Sequence, residues 1–230
     1  MTRPRSTLSS DRHIPGPADL AAAARAAGVR DERLLAAMAK LPRAVFVPDE
    51  LAGSAYLDEP IRITHLQVTT QPSLVAKMIE ALALGGDEKV LEVGTGYGYQ
   101  TALLGMLARE VWSIELWQDM IEAARASLKT VEVTNATLLV ADGTHGLPDQ
   151  APFDAIIVTA AFPAVPPPLA DQLVQGGRLV QPIGPGGQED VRLFEKQEDT
   201  LVLSGSITGA YFVRLYGEHG YSLAQAPTEP

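Results

Sequence analysis

The chain contains no cysteine. That absence removes disulfides, zinc ribbons, iron–sulfur clusters and thiol nucleophiles together, and it fits a reducing, cytoplasmic setting. Positive charge is scarce as well: 18 lysines and arginines stand against 28 acidic side chains, for a net charge of −10. The only basic cluster is Arg3, Arg5 and Arg12, so a phosphate-tracking nucleic-acid partner is not expected. Long apolar runs are also missing. The best candidate, residues 151–168, carries Asp154 and five prolines, unlike the ~18 uninterrupted apolar residues of a membrane span. The N-terminus is positively charged but lacks an apolar core region, so no signal peptide is expected. What is present is ordinary globular usage, 46% hydrophobic and 20% charged over 230 residues. That suffices for a sizeable core in one generous domain. The expectation is a soluble protein without membrane or nucleic-acid partners, its oligomeric state left open.

Polar, Pro/Gly-rich residues 1–17 read as a loose arm, and 222–230 as a loose tail. Residues 18–75 read as a helical cap followed by a substrate segment: a helix over 19–27 ended by Gly28, then a second opened by Asp31 as N-cap and stopped by Pro42. Residues 43–72 have no clear period and are expected to form ordered loops and short strands. Pro72 suits the first turn of a helix ended by Gly85-Gly86. Residues 76–221 form the expected core, in which strands and helices alternate. Strands are expected at 89–94, 111–115, 136–142, 154–159 and 178–183, with helices at 99–109, 118–129 and 167–174. Continuous apolar runs such as Val-Leu-Glu-Val and Ala-Ile-Ile-Val belong to strands covered on both faces. Further strands at 191–196, 201–205 and 210–216 suggest an antiparallel extension. The fold expected is α/β and Rossmann-like: a mainly parallel sheet with helices on both faces, an antiparallel C-terminal extension, and a ligand crevice at the carboxyl ends of the strands.

The strongest local signal is LEVGTGYGYQ at 91–100. It follows an apolar strand and opens a helix, and Gly94, Gly96 and Gly98 let the backbone approach a ligand closely. Tyr99 stands where a dinucleotide fingerprint has its third glycine, which argues against NAD. Glu92 is expected to face the crevice. Glu115 ends the next strand, roughly 20 residues on, where an acidic group can accept both ribose hydroxyls. Asp142-Gly143 ends the third strand, within reach of an adenine amino group. S-adenosylmethionine, with an ammonium, a sulfonium and a carboxylate, suits acidic groups beside exposed helix N–H donors.

Taken together the residues resemble the protein-L-isoaspartate (D-aspartate) O-methyltransferases, from about Asp31 to Gly220. The resemblance is carried by Leu-Pro-Arg-Ala-Val-Phe-Val-Pro at 41–48, Ala-Tyr-Leu-Asp-Glu-Pro at 55–60 and Gln-Val-Thr-Thr-Gln-Pro at 67–72. The loop at 91–100, Phe-Asp-Ala-Ile-Ile-Val-Thr-Ala-Ala at 153–161, Gly-Gly-Arg-Leu-Val at 176–180 and Tyr-Phe-Val-Arg-Leu at 211–215 also match. It implies a class I methyltransferase fold and methyl esterification of L-isoaspartyl carboxyls in damaged proteins or peptides, with S-adenosyl-L-homocysteine as by-product. The matching positions imply a donor site of Glu92, Gly94, Thr95, Gly96, Gly98, Gln100, Glu115, Leu116, Asp142, Gly143 and Thr159. They imply an acceptor site of His65, Gln67, Thr69, Gln71, Pro72, Ala160 and Phe212, with Thr70 as the hydroxyl beside the reacting carboxylate. Three positions depart from the family: Thr64-His65-Leu66 replaces G-x-G, Thr70 replaces serine, and Arg214 replaces a late proline.

A carboxylate acceptor is already ionised at neutral pH, so no general base is required. Thr70 can also be read as the helix N-cap ahead of Pro72. His65 and His145 would serve as bases only for a hydroxyl acceptor, and otherwise read as structural. Trp112, Trp117 and Tyr97 read as core or as adenine-stacking groups. Three alternatives stay open: esterification of aspartate in a biosynthetic peptide, a nicotinamide oxidoreductase on the same fold, and a non-catalytic cofactor-binding scaffold.

Overall fold

The computed structural model describes residues 13–226. Arg3, Arg5, Arg12, most of the expected arm and the end of the expected tail lie outside them. Two helices come first, α1 (Pro17–Ala26) and α2 (Glu32–Met38). The second begins where it does because the Asp31 carboxylate accepts from the Arg33 and Leu34 amides, at 2.8 and 3.2 Å. Two of the four donors left unpaired at a helix start are thereby satisfied. Short strands β1 (Ile61–Arg62) and β2 (Val68–Thr69) pair antiparallel. Helix α3 (Pro72–Leu82) follows, with Pro72 in its first turn. It stops before Gly85-Gly86: Ala83 takes the left-handed cap at φ 49°. Leu84, buried just beyond, holds the chain against the core there.

The core then alternates: β3 (Lys89–Val93), α4 (Tyr99–Leu107), β4 (Glu110–Glu115), α5 (Gln118–Thr130), β5 (Ala136–Val140), β6 (Phe153–Val158), α6 (Pro167–Asp171), β7 (Leu173–Ile183), β8 (Gly187–Gln197) and β9 (Thr200–Phe212). The sheet order is β5-β4-β3-β6-β7-β8-β9. The first five strands run parallel and the last two antiparallel. This is the expected α/β architecture with its antiparallel extension.

Strand residues alternate between two cores. Val90, Val111, Ile157 and Val180 pack with α1 to α5, whereas Leu91, Ile114, Ile156 and Leu179 pack with Leu169 of α6 on the other face. Two expectations are corrected. The helix expected over 167–174 ends at Asp171, because Leu173 enters the sheet beside Phe153. The two strands expected at 201–205 and 210–216 are instead one strand, β9, carrying Ser204 and Ile207 as extra residues at two register shifts. The bulges let a single strand follow the twist of the sheet. Residues 213–215 leave β9 and run beside the tip of β6. The Ala161 amide donates to the Val213 carbonyl at 2.7 Å, and the Leu215 amide to the Ala161 carbonyl at 2.9 Å. Among the described residues no helix is long and apolar enough to cross a membrane.

Asp31→Ala is expected to lower stability by about 1 kcal/mol, while Asp31→Asn retains most of it. Denaturant titration checks this, and an unchanged midpoint in the alanine variant would contradict the cap.

Candidate active site

Strand order reverses at β3, which lies between β4 and β6, so a crevice opens beyond the carboxyl ends of these strands. The loop after β3 forms its floor. Gly94 has φ 99°, and a Cβ there would lie 2.0 Å from Thr159 Oγ1. The Thr159 hydroxyl is already engaged by the Val93 and Gly94 carbonyls at 3.1 and 3.0 Å. Gly98, at φ 93°, caps α4 and approaches Ala124 of α5. Both positions therefore need glycine for conformation and for space. The cleft is walled by this loop, the end of β4 and the residues that follow β9, a concave setting of the kind in which small ligands bind.

Of the expected donor-site residues, Gly94, Thr95, Gly96, Gly98, Gln100, Glu115, Leu116, Gly143 and Thr159 line this cleft. Glu92 does not, which corrects the expectation that it faces the crevice. It is fully buried beneath the loop and accepts from Gln100 Nε2 at 2.9 Å, Ser113 Oγ at 2.6 Å and Thr101 Oγ1. Burial pushes its carboxyl up to about 7, with the three donors pulling the other way. Asp142 stands just behind Gly143, off the cleft lining; its oxygens accept from the Thr144 amide and hydroxyl, at 2.9 and 2.6 Å, and from the Glu218 amide at 2.7 Å. Burial raises the Asp142 carboxyl, but these donors outweigh it and leave the group below the usual range.

Glu115 is the acidic group that reaches the cleft wall. Its carboxylate accepts from the Gly96 and Leu116 amides, at 2.9 and 2.7 Å. Burial raises it, against the pull of those amides. Its oxygens keep acceptor capacity for a vicinal diol. Gln100 Oε1 is buried and has no partner. Because Nε2 is committed to Glu92, that oxygen is an acceptor waiting for a donor such as an ammonium. A diol acceptor, an ammonium acceptor and the N–H groups opening α4 together fit S-adenosyl-L-methionine.

On the acceptor side, Gln67, Thr69, Thr70, Ala160 and Phe212 line the same cleft, whereas His65, Gln71 and Pro72 do not. Gln71 instead donates to Asp58 at 2.9 Å, and Pro72 is buried in the first turn of α3. Thr70 is not a cap: the N-cap of α3 is Gln71, and the first-turn Ser73 amide is taken by the Asp58 carboxylate at 2.8 Å. Among the described residues the Thr70 hydroxyl has no hydrogen-bond partner. His65 stacks on Trp117 at 4.1 Å and bonds Asp119 at 2.9 Å. His65 and Leu66 both take left-handed backbone, φ 56° and 54°, conformations that glycine adopts without strain. The stacking and the Asp119 bond hold His65 in place. Trp117 and Tyr97 line the cleft, while the Trp112 indole donates to Glu110 at 2.8 Å.

The sequence reading assigned no role to Arg43. It is fully buried, and its guanidinium donates to the carbonyls of Ala55, Leu57, Glu59 and Thr70 and to the Thr69 hydroxyl, at 2.9–3.3 Å. Burial lowers it to about 10, with Tyr99 and Asp58 opposing, so it stays cationic at neutral pH. It pins the backbone on either side of the Thr70 hydroxyl. The segment 213–216 also lines the cleft; its residues 213–215 stand inside the matching 211–215 run, but the sequence assigns none of 213–216 a binding role. Arg43 stood inside the quoted 41–48 run, but nothing local signals a buried cation.

A family model described as protein-L-isoaspartate(D-aspartate) O-methyltransferase matches residues 18–220. The chain is 46% identical over 194 residues to the protein-L-isoaspartate O-methyltransferase of Geobacter metallireducens, covering 84% of this chain and 90% of that one. It is 52% identical over 176 residues to its counterpart in Anaeromyxobacter dehalogenans, covering 76% and 84%. A solved structure named protein-L-isoaspartate O-methyltransferase aligns with TM-score 0.77 at 27% identity, over 87% of this chain and 66% of that one. A Plasmodium falciparum structure named for the same activity, in complex with S-adenosyl-L-homocysteine, aligns with TM-score 0.75 at 18% identity, over 87% and 98%, a likeness of fold.

Glu92 generates a test of the loop's support. With its carboxyl raised to about 7, the folded chain keeps a proton that the unfolded chain releases near pH 4.3. Its contribution is full below that pH and is lost as pH rises through 7. The stability of wild type relative to Glu92→Gln should therefore fall between pH 4.5 and 7.5, by at most about 3 kcal/mol. Urea titrations at both pH values measure it, and a pH-independent difference would contradict the buried, proton-holding carboxyl.

Proposed function

The chain belongs to the protein-L-isoaspartate(D-aspartate) O-methyltransferase family, and on that premise we propose that it methylates the carboxyl of L-isoaspartyl residues in damaged proteins or peptides. The methyl ester is the step that lets such a residue return toward aspartate through a succinimide. The observation that carries this reading is the Thr70 hydroxyl, without a partner among the described residues, which lines the same cleft as the glycine loop and is held there by Arg43.

When bound, S-adenosyl-L-methionine supplies a methyl group activated on a sulfonium and leaves as S-adenosyl-L-homocysteine. Glu115 would hold its ribose hydroxyls, Gln100 Oε1 its ammonium and the N–H groups opening α4 its carboxylate. Thr70 donates its hydroxyl to the acceptor carboxylate and fixes that group's orientation. The free carboxyl of an isoaspartyl residue is its α-carboxyl, with an ordinary pKa of about 3.3–3.7, so it arrives ionised and the chain need not remove a proton. This fits the engagement of His65 with Trp117 and Asp119 rather than with the cleft. The chain's contribution is alignment and water exclusion, which can supply roughly 7–11 kcal/mol of a barrier. Phe212 and the 213–216 segment, anchored on Ala161, close the cleft from the sheet side.

The decisive assay uses radiolabelled methyl donor and two peptides that differ only in aspartate or isoaspartate at one position. Base-labile label is expected on the isoaspartyl peptide alone. Label on the aspartyl peptide alone would move the protein to esterification of biosynthetic peptides, and label on neither would remove the activity. In the same assay Thr70→Ser should retain activity. Thr70→Val should lose about 10–100-fold in kcat/KM, the worth of a hydrogen bond to a charged group, with donor affinity unchanged. Full activity in the valine variant would take Thr70 out of the site.

A further inference from the structure

Where the loop after β5 meets the end of the described chain, three metal-competent side chains converge that methyl transfer does not use. His145 Nε2 lies 3.1 Å from Glu218 Oε2. The His145 and His219 rings sit edge to face with centroids 5.0 Å apart. One ligand atom from each of the three residues falls within 4.8 Å of the others. Asp142 stands beside them, with Oδ2 3.7 Å from His145 Nε2.

The backbone beneath these side chains is already tied together. The Glu218 amide donates to Asp142 Oδ2 at 2.7 Å, and the His219 amide to Thr144 Oγ1 at 3.1 Å. Thr144 is fully buried and donates its own hydroxyl to Asp142 Oδ1 at 2.6 Å. Gly217, at φ 150°, makes the approach possible: a Cβ there would lie 2.1 Å from Asp142 Oδ1. The roots of the three side chains are therefore fixed without any ion. Their tips keep freedom, since His145 and Glu218 are 44% and 71% exposed. They can draw in to the ~2.0–2.2 Å that imidazole and carboxylate ligands need.

We propose that His145, Glu218 and His219 bind one divalent transition cation of the zinc or nickel class, with water completing its coordination. Two imidazoles and one carboxylate suit such borderline cations, whereas calcium and magnesium take oxygen-rich sites. Asp142 and the net charge of −10 add a favourable field. The site sits on the rim of the cleft: Gly143 lines it from one strand loop, and Leu215 and Tyr216 line it from the segment that leads to Glu218. A bound ion ties these two walls together.

The test uses the untagged full chain, stripped with a chelator and titrated calorimetrically with zinc chloride, then with calcium and magnesium chloride. One zinc per chain is expected, with a rise in Tm and no response to calcium or magnesium. His145→Asn and His219→Asn should each weaken zinc binding at least tenfold and abolish the Tm rise. His13→Asn, whose imidazole lies beside Asp19, should leave both unchanged. Circular dichroism of the metal-free variants verifies folding, and should one fail to fold, Glu218→Gln serves in its place. Absence of one-to-one binding, or wild-type affinity in the folded variants, would overturn the proposal, including the case in which zinc settles on His65 and Asp119.

Discussion

A carboxylate kept from solvent holds the donor half of this molecule in shape. Glu92, in the middle of β3, takes one donor from β4 and two from the first turn of α4, so strand, strand and helix share one anchor. Ser113 extends the arrangement by bonding Thr95 within the glycine loop at 2.6 Å. Burying such a group without partners would cost several kcal/mol; three donors offset that cost and commit the Gln100 amide nitrogen, leaving its buried oxygen without a partner among the described residues. The loop's geometry and the polarity of what it presents thus come from one buried interaction.

The acceptor half has a counterpart of opposite sign. Arg43 is a buried cation whose five acceptors are all neutral oxygens, drawn from residues 55–70. These residues include no long strand or α-helix of their own, so a guanidinium gathers what secondary structure does not. One buried carboxyl and one buried cation therefore fix the two walls of a single cleft. A reaction that needs alignment rather than proton removal is suited to such rigid support.

The alternation of strands and helices was legible because buried parallel strands write continuous apolar runs, and the glycine loop because its strand and helix context is local. Glu115 was legible because it ends a strand. Glu92 was misread because its side-chain direction depends on strand pleat: residue 92 shares a face with Val90, which packs against the helices, so it points under α4 and not out of the tip of β3. The hold on Asp142 was not legible because one of its partners, the Glu218 amide, lies far along the chain. Arg43 escaped for the same reason, its acceptors being scattered over a stretch without period. The bulges of β9 hid behind glycines that read as turns, and nothing in the sequence announces the left-handed backbone that His65 and Leu66 take where the family has G-x-G.

The claim on which everything rests is that the cleft beside Glu115 receives the adenosyl group. Calorimetric titration of the chain with S-adenosyl-L-homocysteine tests it without reference to any acceptor. One-to-one binding in wild type, weakened at least tenfold in Glu115→Ala with the fold intact, is the predicted result. No binding to the wild-type chain, or equal affinity in the two proteins, would contradict the account.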